Sequence, residues 1–178
     1  MTHPNKASEV FGIVRLLREG NYNDDELDNL LNRLAELYGE HDINLPHIPE
    51  DAGEHRAGIV EVLSRIPDGW GRWISCDAGW YPLITELGAK LAAIDPNYVV
   101  HQIKEKYGAL RFYAETEAEG PRGERFDELI EAAQKRSEHI CEQCGTSGAA
   151  LRASREPLGL MKTLCAQCFD PSTSAGAK

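Results

Sequence analysis

The chain has 178 residues, 42% of them hydrophobic, and a formal net charge of −10 from 29 acidic and 19 basic side chains. That is enough apolar material for one ordinary core with a small appendage. No run reaches the roughly 18–20 apolar residues of a membrane span, and the acidity disfavours unaided attraction to nucleic acid or to an anionic membrane. The opening Met1-Thr2-His3-Pro4-Asn5-Lys6 lacks the apolar stretch of a secretory signal, so a cytoplasmic location without membrane contact is expected.

A first helix is predicted over Ser8–Glu19, with Val10, Phe11, Val14 and Leu17 near one face and Gly20-Asn21 ending it. A second follows from Asn23, which with Glu26 has the spacing of a capping box; Leu27, Leu30, Leu31, Leu34, Leu37 and Tyr38 then recur at helical intervals. The two form a helical hairpin, joined by a proline-containing loop over 41–53 to a helix over Glu54–Arg65 that buries Ile59, Val62, Leu63 and Ile66. The segment Trp70–Trp80 holds all three tryptophans. A helix starting near Pro82 carries the stripe Leu83, Ile84, Leu87, Leu91 and Ile94.

Strands are predicted over Tyr98–Lys106 and Ala109–Glu115, flanking a Tyr107-Gly108 turn. Phe126, Leu129, Ile130, Ala133 and Ser137 mark a last helix that runs into Cys141. Short strands over Leu151–Ser154 and Leu160–Leu164, joined through Pro157-Leu158-Gly159, complete a ribbon. The fold class is therefore α+β: N-terminal helices, a small antiparallel hairpin or sheet packed on helices, and a C-terminal four-cysteine zinc ribbon. The expected organisation is a helical hairpin and loop over 1–53, an α+β core over 54–139, the ribbon over 140–170 and a disordered tail over 171–178.

Cys141-Glu142-Gln143-Cys144 and Cys165-Ala166-Gln167-Cys168 are two C-x-x-C pairs separated by residues 145–164, the spacing of a tetrahedral four-thiolate zinc site. A site filled by Cys141, Cys144, Cys165 and Cys168 leaves no position for water or substrate, so a bound Zn2+ is expected to be structural. Residues 145–164 contain no histidine, which excludes the arrangement in which a nuclease histidine lies between zinc knuckles. The chain has no phosphate loop, nucleophile elbow or H-E-x-x-H helix.

A two-residue turn at Tyr107-Gly108 would set Glu105 opposite Leu110, Lys104 opposite Arg111, Ile103 opposite Phe112 and Gln102 opposite Tyr113. Alternation then puts Gln102, Lys104, Lys106, Arg111 and Tyr113 on one side and Ile103, Leu110 and Phe112 on the other. Lys104 against Arg111 is a like-charge pair that costs stability unless an anion answers it. Lys104, Lys106, Arg111 and Tyr113, with Trp80, are the candidates for contacting a ligand or partner. Cys76 beside Asp77 reads as packing, because no histidine is near in sequence to activate it.

Gly79-Trp80-Tyr81-Pro82-Leu83-Ile84, Gln102-Ile103-Lys104-Glu105-Lys106-Tyr107-Gly108-Ala109-Leu110-Arg111-Phe112-Tyr113, Cys141-x-x-Cys144-Gly145 and Leu164-Cys165 together resemble small hypothetical proteins encoded by bacteria and their phages. The resemblance spans about residues 70–170 and transfers no catalytic residue. It implies a phage or mobile-element setting, in which small acidic proteins act by binding another protein.

The leading expectation is a non-catalytic, zinc-stabilised acidic protein-interaction module that modulates a host machine through an unidentified protein partner. One alternative is a nucleic-acid-binding accessory protein that uses Lys135, Arg136, Arg152, Arg155 and Lys162 at the ribbon, against the net charge. The other is a small enzyme or anionic-ligand-binding domain centred on the basic hairpin face, which requires the tryptophan segment and that face to line one cleft.

Overall fold

The computed structural model describes residues 43–153 and 161–170 continuously, with 13, 15, 16, 20, 22, 23, 25–30, 32 and 33 before them. The chain divides into two compact units, Met1–Leu45 and Pro46–Lys178. In the first unit the capping box forms as its spacing predicts. The Asn23 side chain accepts from Glu26 N–H at 2.9 Å, and the Glu26 carboxylate accepts from Asn23 N–H at 3.0 Å. Residues 25–30, 32 and 33 are helical behind it. The predicted first helix lies outside the described residues apart from helical Ile13, Arg15 and Leu16, and so do the turn at 157–159 and the tail at 171–178.

In the second unit a 3-10 turn, Gly53–His55, leads into α1, Arg56–Leu63. Its buried side chains, Ile59, Val62 and Leu63, fall at i, i+3 and i+4, the spacing that lines one helical face. Helix α2, Tyr81–Ile94, has Pro82 in its first turn, where a missing N–H breaks no helical bond. It buries Ile84, Leu87, Gly88 and Leu91. Between the two helices Ile74–Ser75 forms β1, and after α2 come β2, Val99–Lys106, and β3, Ala109–Glu115. Helix α3, Pro121–Ser137, follows. The smaller sheet is β4, Ala150–Ala153, paired antiparallel with β5, Met161–Leu164, and a final turn of helix, α4, spans Ala166–Phe169.

The larger sheet has the order β1-β2-β3. β2 and β3 pair antiparallel in the expected register, with Lys104 opposite Arg111 and Ile103 opposite Phe112. Tyr107 and Gly108, at φ 56° and 75°, are both left-handed. Such a primed turn matches the twist of the strands it joins. The sheet is mixed rather than purely antiparallel, because β1 adds parallel to β2 with Ile74 opposite Ile103. At two residues, β1 is too short to show an alternation in sequence.

Ile103, Leu110 and Phe112 are buried, whereas Gln102, Lys106 and Tyr113 on the opposite face are exposed. α2 packs against both α1 and α3, and α3 also packs against β3. The core these elements enclose includes Trp80, Ile84, Leu91, Val100, Ile103, Leu110 and Phe126. Among the described residues no helix is long and apolar enough to cross a membrane.

Candidate metal centre

The ligand atoms of Cys141, Cys144, Cys165 and Cys168 all lie within 4.8 Å of one another, a cluster that can hold a metal ion. Each C-x-x-C pair is shaped by its own backbone. In the first, Gly145 N–H donates to the Cys141 carbonyl at 2.8 Å and Cys141 N–H donates to the Thr146 carbonyl at 2.9 Å, curling the loop around its sulfurs. In the second, Cys165 caps α4, and its sulfur accepts from Cys168 N–H at 3.4 Å. Cys144 Sγ and Cys165 Sγ are 3.7 Å apart, far beyond the roughly 2.05 Å of a disulfide.

The sulfurs differ in electrostatic setting. The Thr146 hydroxyl, 3.2 Å from Cys144 Sγ, and the Thr146 amide pull the Cys144 thiol down to about 6. Burial pushes the thiols of Cys141 and Cys168 up, and at Cys168 the neighbouring sulfurs add to the rise. Four thiolates so close repel one another, and a cation among them removes the conflict.

The cluster sits on a seat made from two distant parts of the core. Gly79 N–H donates to the Glu142 carbonyl at 2.7 Å. A Cβ on Gly79 would stand 2.2 Å from the Cys141 carbonyl oxygen and 2.4 Å from Gly145 N, so only glycine admits the first knuckle this closely. The Trp80 indole N–H donates to the Ile140 carbonyl at 2.9 Å. Beside them the Glu142 side chain, 1% exposed, accepts from Asp77 N–H at 3.2 Å, and Lys162 Nζ bridges Asp77 at 2.7 Å and Glu142 at 3.3 Å. Burial raises the Glu142 carboxyl above its ordinary range, with the charge of Asp77 adding to the rise and Lys162 opposing it.

The second contact is at the hairpin turn. The Thr163 hydroxyl donates to the Gly108 carbonyl at 2.6 Å, while Glu142 N–H donates to the Thr163 carbonyl at 2.9 Å. Gly108 faces Leu151, whose Cδ1 would lie 2.1 Å from an added Cβ.

The sequence-derived candidates separate into two groups. Lys104, Lys106, Arg111 and Tyr113 share the open face of the β2–β3 hairpin, with Lys104 Nζ 5.6 Å from the Tyr113 ring centre. Trp80 does not join them. It is wholly buried and belongs to the seat of the first knuckle. Cys76 packs against the core, where burial and then the charges of Glu142 and Asp77 hold its thiol well above the ordinary range, the opposite of an activated nucleophile. Trp70 and Trp73 are exposed, Trp70 against His101 and Trp73 edge-on to His47.

Gly79, Glu142, Lys162 and Thr163 work together in ways their sequence positions do not announce. Gly79 alone carries a signal, since it opens the Gly79–Ile84 motif, whose first two residues receive the first knuckle. Comparison with models of protein families, with curated proteins and with solved structures finds no match.

Proposed function

We propose that the four cysteines bind one structural zinc ion and that the chain is a non-catalytic protein-interaction module whose C-terminal ribbon the metal fixes to the core. The observation that supports this most directly is the sulfur geometry. Two sulfurs each about 2.3 Å from a tetrahedral zinc are roughly 3.8 Å apart, and Cys144 and Cys165 are at 3.7 Å. Four thiolates complete the coordination shell of such an ion, which favours a structural over a catalytic role. The buried, raised thiol of Cys76 supports the same reading.

The test is metal content and its coupling to the fold. Protein purified under reducing conditions should carry one zinc per chain, and a strong chelator should lower the melting temperature and alter Trp80 fluorescence as the Ile140 contact is lost. Zinc-free protein with an unchanged melt in chelator would refute the reading.

A second reading has its own observation. Lys104 lies opposite Arg111, beside Lys106, and none of the three has an acidic partner among the described residues. This favours an anionic ligand on the open hairpin face alone, since the buried Trp80 does not form with it the cleft that an enzyme reading requires. A paired Lys104→Ala and Arg111→Ala variant should lose binding to a short single-stranded oligonucleotide at low salt. Absence of binding by the unaltered protein would remove the reading.

A further inference from the structure

We propose that the outer edge of β3 is a docking edge that takes an extended, basic protein segment as a fourth strand of the sheet. The inference rests on the reading of the chain as a protein-interaction module and names the chemistry of the partner.

The two edges of the sheet are built differently. β1 is two residues long, a blunt edge that offers little to pair with. β3 runs for seven residues, Ala-Leu-Arg-Phe-Tyr-Ala-Glu, with no proline, and the register irregularity of the hairpin falls on β2, between Val100 and Gln102. α3 covers this edge at Leu110 through Ser137, and the stretch from Phe112 to Glu115 faces a groove; an edge left without such protection invites strand addition.

The backbone shows which groups are on offer. Leu110 N–H donates to the Ser137 hydroxyl at 2.9 Å, so it points away from β2, and alternation turns the N–H groups of Phe112 and Ala114 the same way. Ser137 answers Leu110. Nothing among the described residues answers the amides of Phe112 and Ala114.

The edge opens onto a groove between β3 and α3. Phe112, Ala114 and Ile130 line it, Asp127 and Glu131 supply its free acidic charge, and Glu115 is held 3.2 Å from His101, which lines it too. Asp127 has no cationic partner among the described residues. Glu131 has only the exposed Lys135, 3.5 Å away, a solvent-screened contact that is easily exchanged. A strand added here would turn alternate side chains toward α3. Basic residues at those positions meet Asp127 and Glu131, while an acidic segment or a nucleic acid would meet the same carboxylates as repulsion. The net charge of −10 favours the encounter with a basic segment as well. Main-chain pairing would supply affinity and the acidic wall selectivity.

The test uses the full chain, zinc-loaded, with two eight-residue peptides, one alternating lysine with valine and one alternating glutamate with valine, and reads amide hydrogen exchange residue by residue. The lysine peptide at saturation should slow exchange at Phe112 and Ala114 by tenfold or more, and the glutamate peptide should leave both unchanged. An Asp127→Asn, Glu131→Gln double variant, altered only at exposed helix positions, should weaken lysine-peptide binding three- to tenfold. Saturating peptide with no slowing at these two amides overturns the proposal, as does equal slowing by the glutamate peptide. Slowing that rises with protein concentration in the absence of peptide also overturns it, in favour of a second copy pairing edge to edge. Protection confined to another surface overturns the edge assignment while leaving the binding-module reading standing.

Discussion

Replacing Gly79 by alanine tests the seat of the metal centre with one carbon atom. The added Cβ would fall 2.2 Å from the Cys141 carbonyl oxygen, 2.4 Å from Gly145 N and 2.5 Å from the Glu142 carbonyl oxygen. All three are backbone atoms of the first knuckle, so no side chain can swing aside and the knuckle must retreat by roughly 1 Å. That retreat strains the Gly79-to-Glu142 bond at 2.7 Å and the Trp80-to-Ile140 bond at 2.9 Å. Two such bonds are worth about 2 kcal/mol, and residual overpacking adds about 1–3 kcal/mol. The contributions overlap because they describe one displacement, so the expected loss is about 2–4 kcal/mol. At roughly 3 °C per kcal/mol for a domain of this size, the variant should melt about 5–15 °C below the unaltered protein in a circular-dichroism scan. Gly53→Ala is the comparison: its φ is +49° but nothing lies within 4 Å of the added atom. It should lose only the backbone penalty of about 1–2 kcal/mol. If Gly79→Ala melts within about 2 °C of the unaltered protein, or above Gly53→Ala, the docking argument is wrong.

Three further outcomes are expected. Lys162→Met leaves the buried Glu142 carboxylate without its cation and should cost roughly 2–4 kcal/mol by urea denaturation, whereas Glu142→Gln, which keeps the acceptor for Asp77 N–H, should cost clearly less. Tyr107→Asn should raise stability by about 0.5–1 kcal/mol, because the tyrosine is exposed and left-handed at φ 56° while asparagine tolerates that region; a lower denaturation midpoint would contradict the turn assignment. The Asp95 carboxyl is held below the ordinary 3.8 by the Thr116 hydroxyl and then by the Asn97 amide. A lowered carboxyl contributes its stability in full above that ordinary value and loses it as pH falls through the folded value. Proton titration by NMR should therefore place the Asp95 midpoint below 3.8, and Thr116→Val should raise it.

Local chemistry is readable in the chain, whereas long-range contacts are not. The Asn23–Glu26 cap, the Tyr107-Gly108 turn with its register, and the cysteine cluster each depend on residues a few positions apart or on a spacing with one metal geometry behind it. Strand β1 escapes notice because two residues carry no periodicity. The sequence favours core or wall for the tryptophans without saying which of the three is buried, so Trp80 stands among the ligand candidates. Its burial follows from a contact with Ile140, 60 residues away. The Lys162–Asp77–Glu142 bridge is invisible for the same reason: it joins positions 85 and 20 residues apart. Charge counting puts Lys162 on a nucleic-acid-binding face, yet the fold spends it on an internal acid.

The seat also bears on the order in which the chain assembles. Gly79, Trp80 and Gly108 all precede the first cysteine of the cluster, and the last ligand, Cys168, comes 60 residues after the hairpin turn. In synthesis from the N-terminus the socket can form before the ribbon exists, and contacts of such sequence separation are the slow ones to close. A metal held by all four cysteines can be captured only after Cys168 has been made. Until the first knuckle has been made, Gly79 lacks the backbone that packs against it in the folded chain.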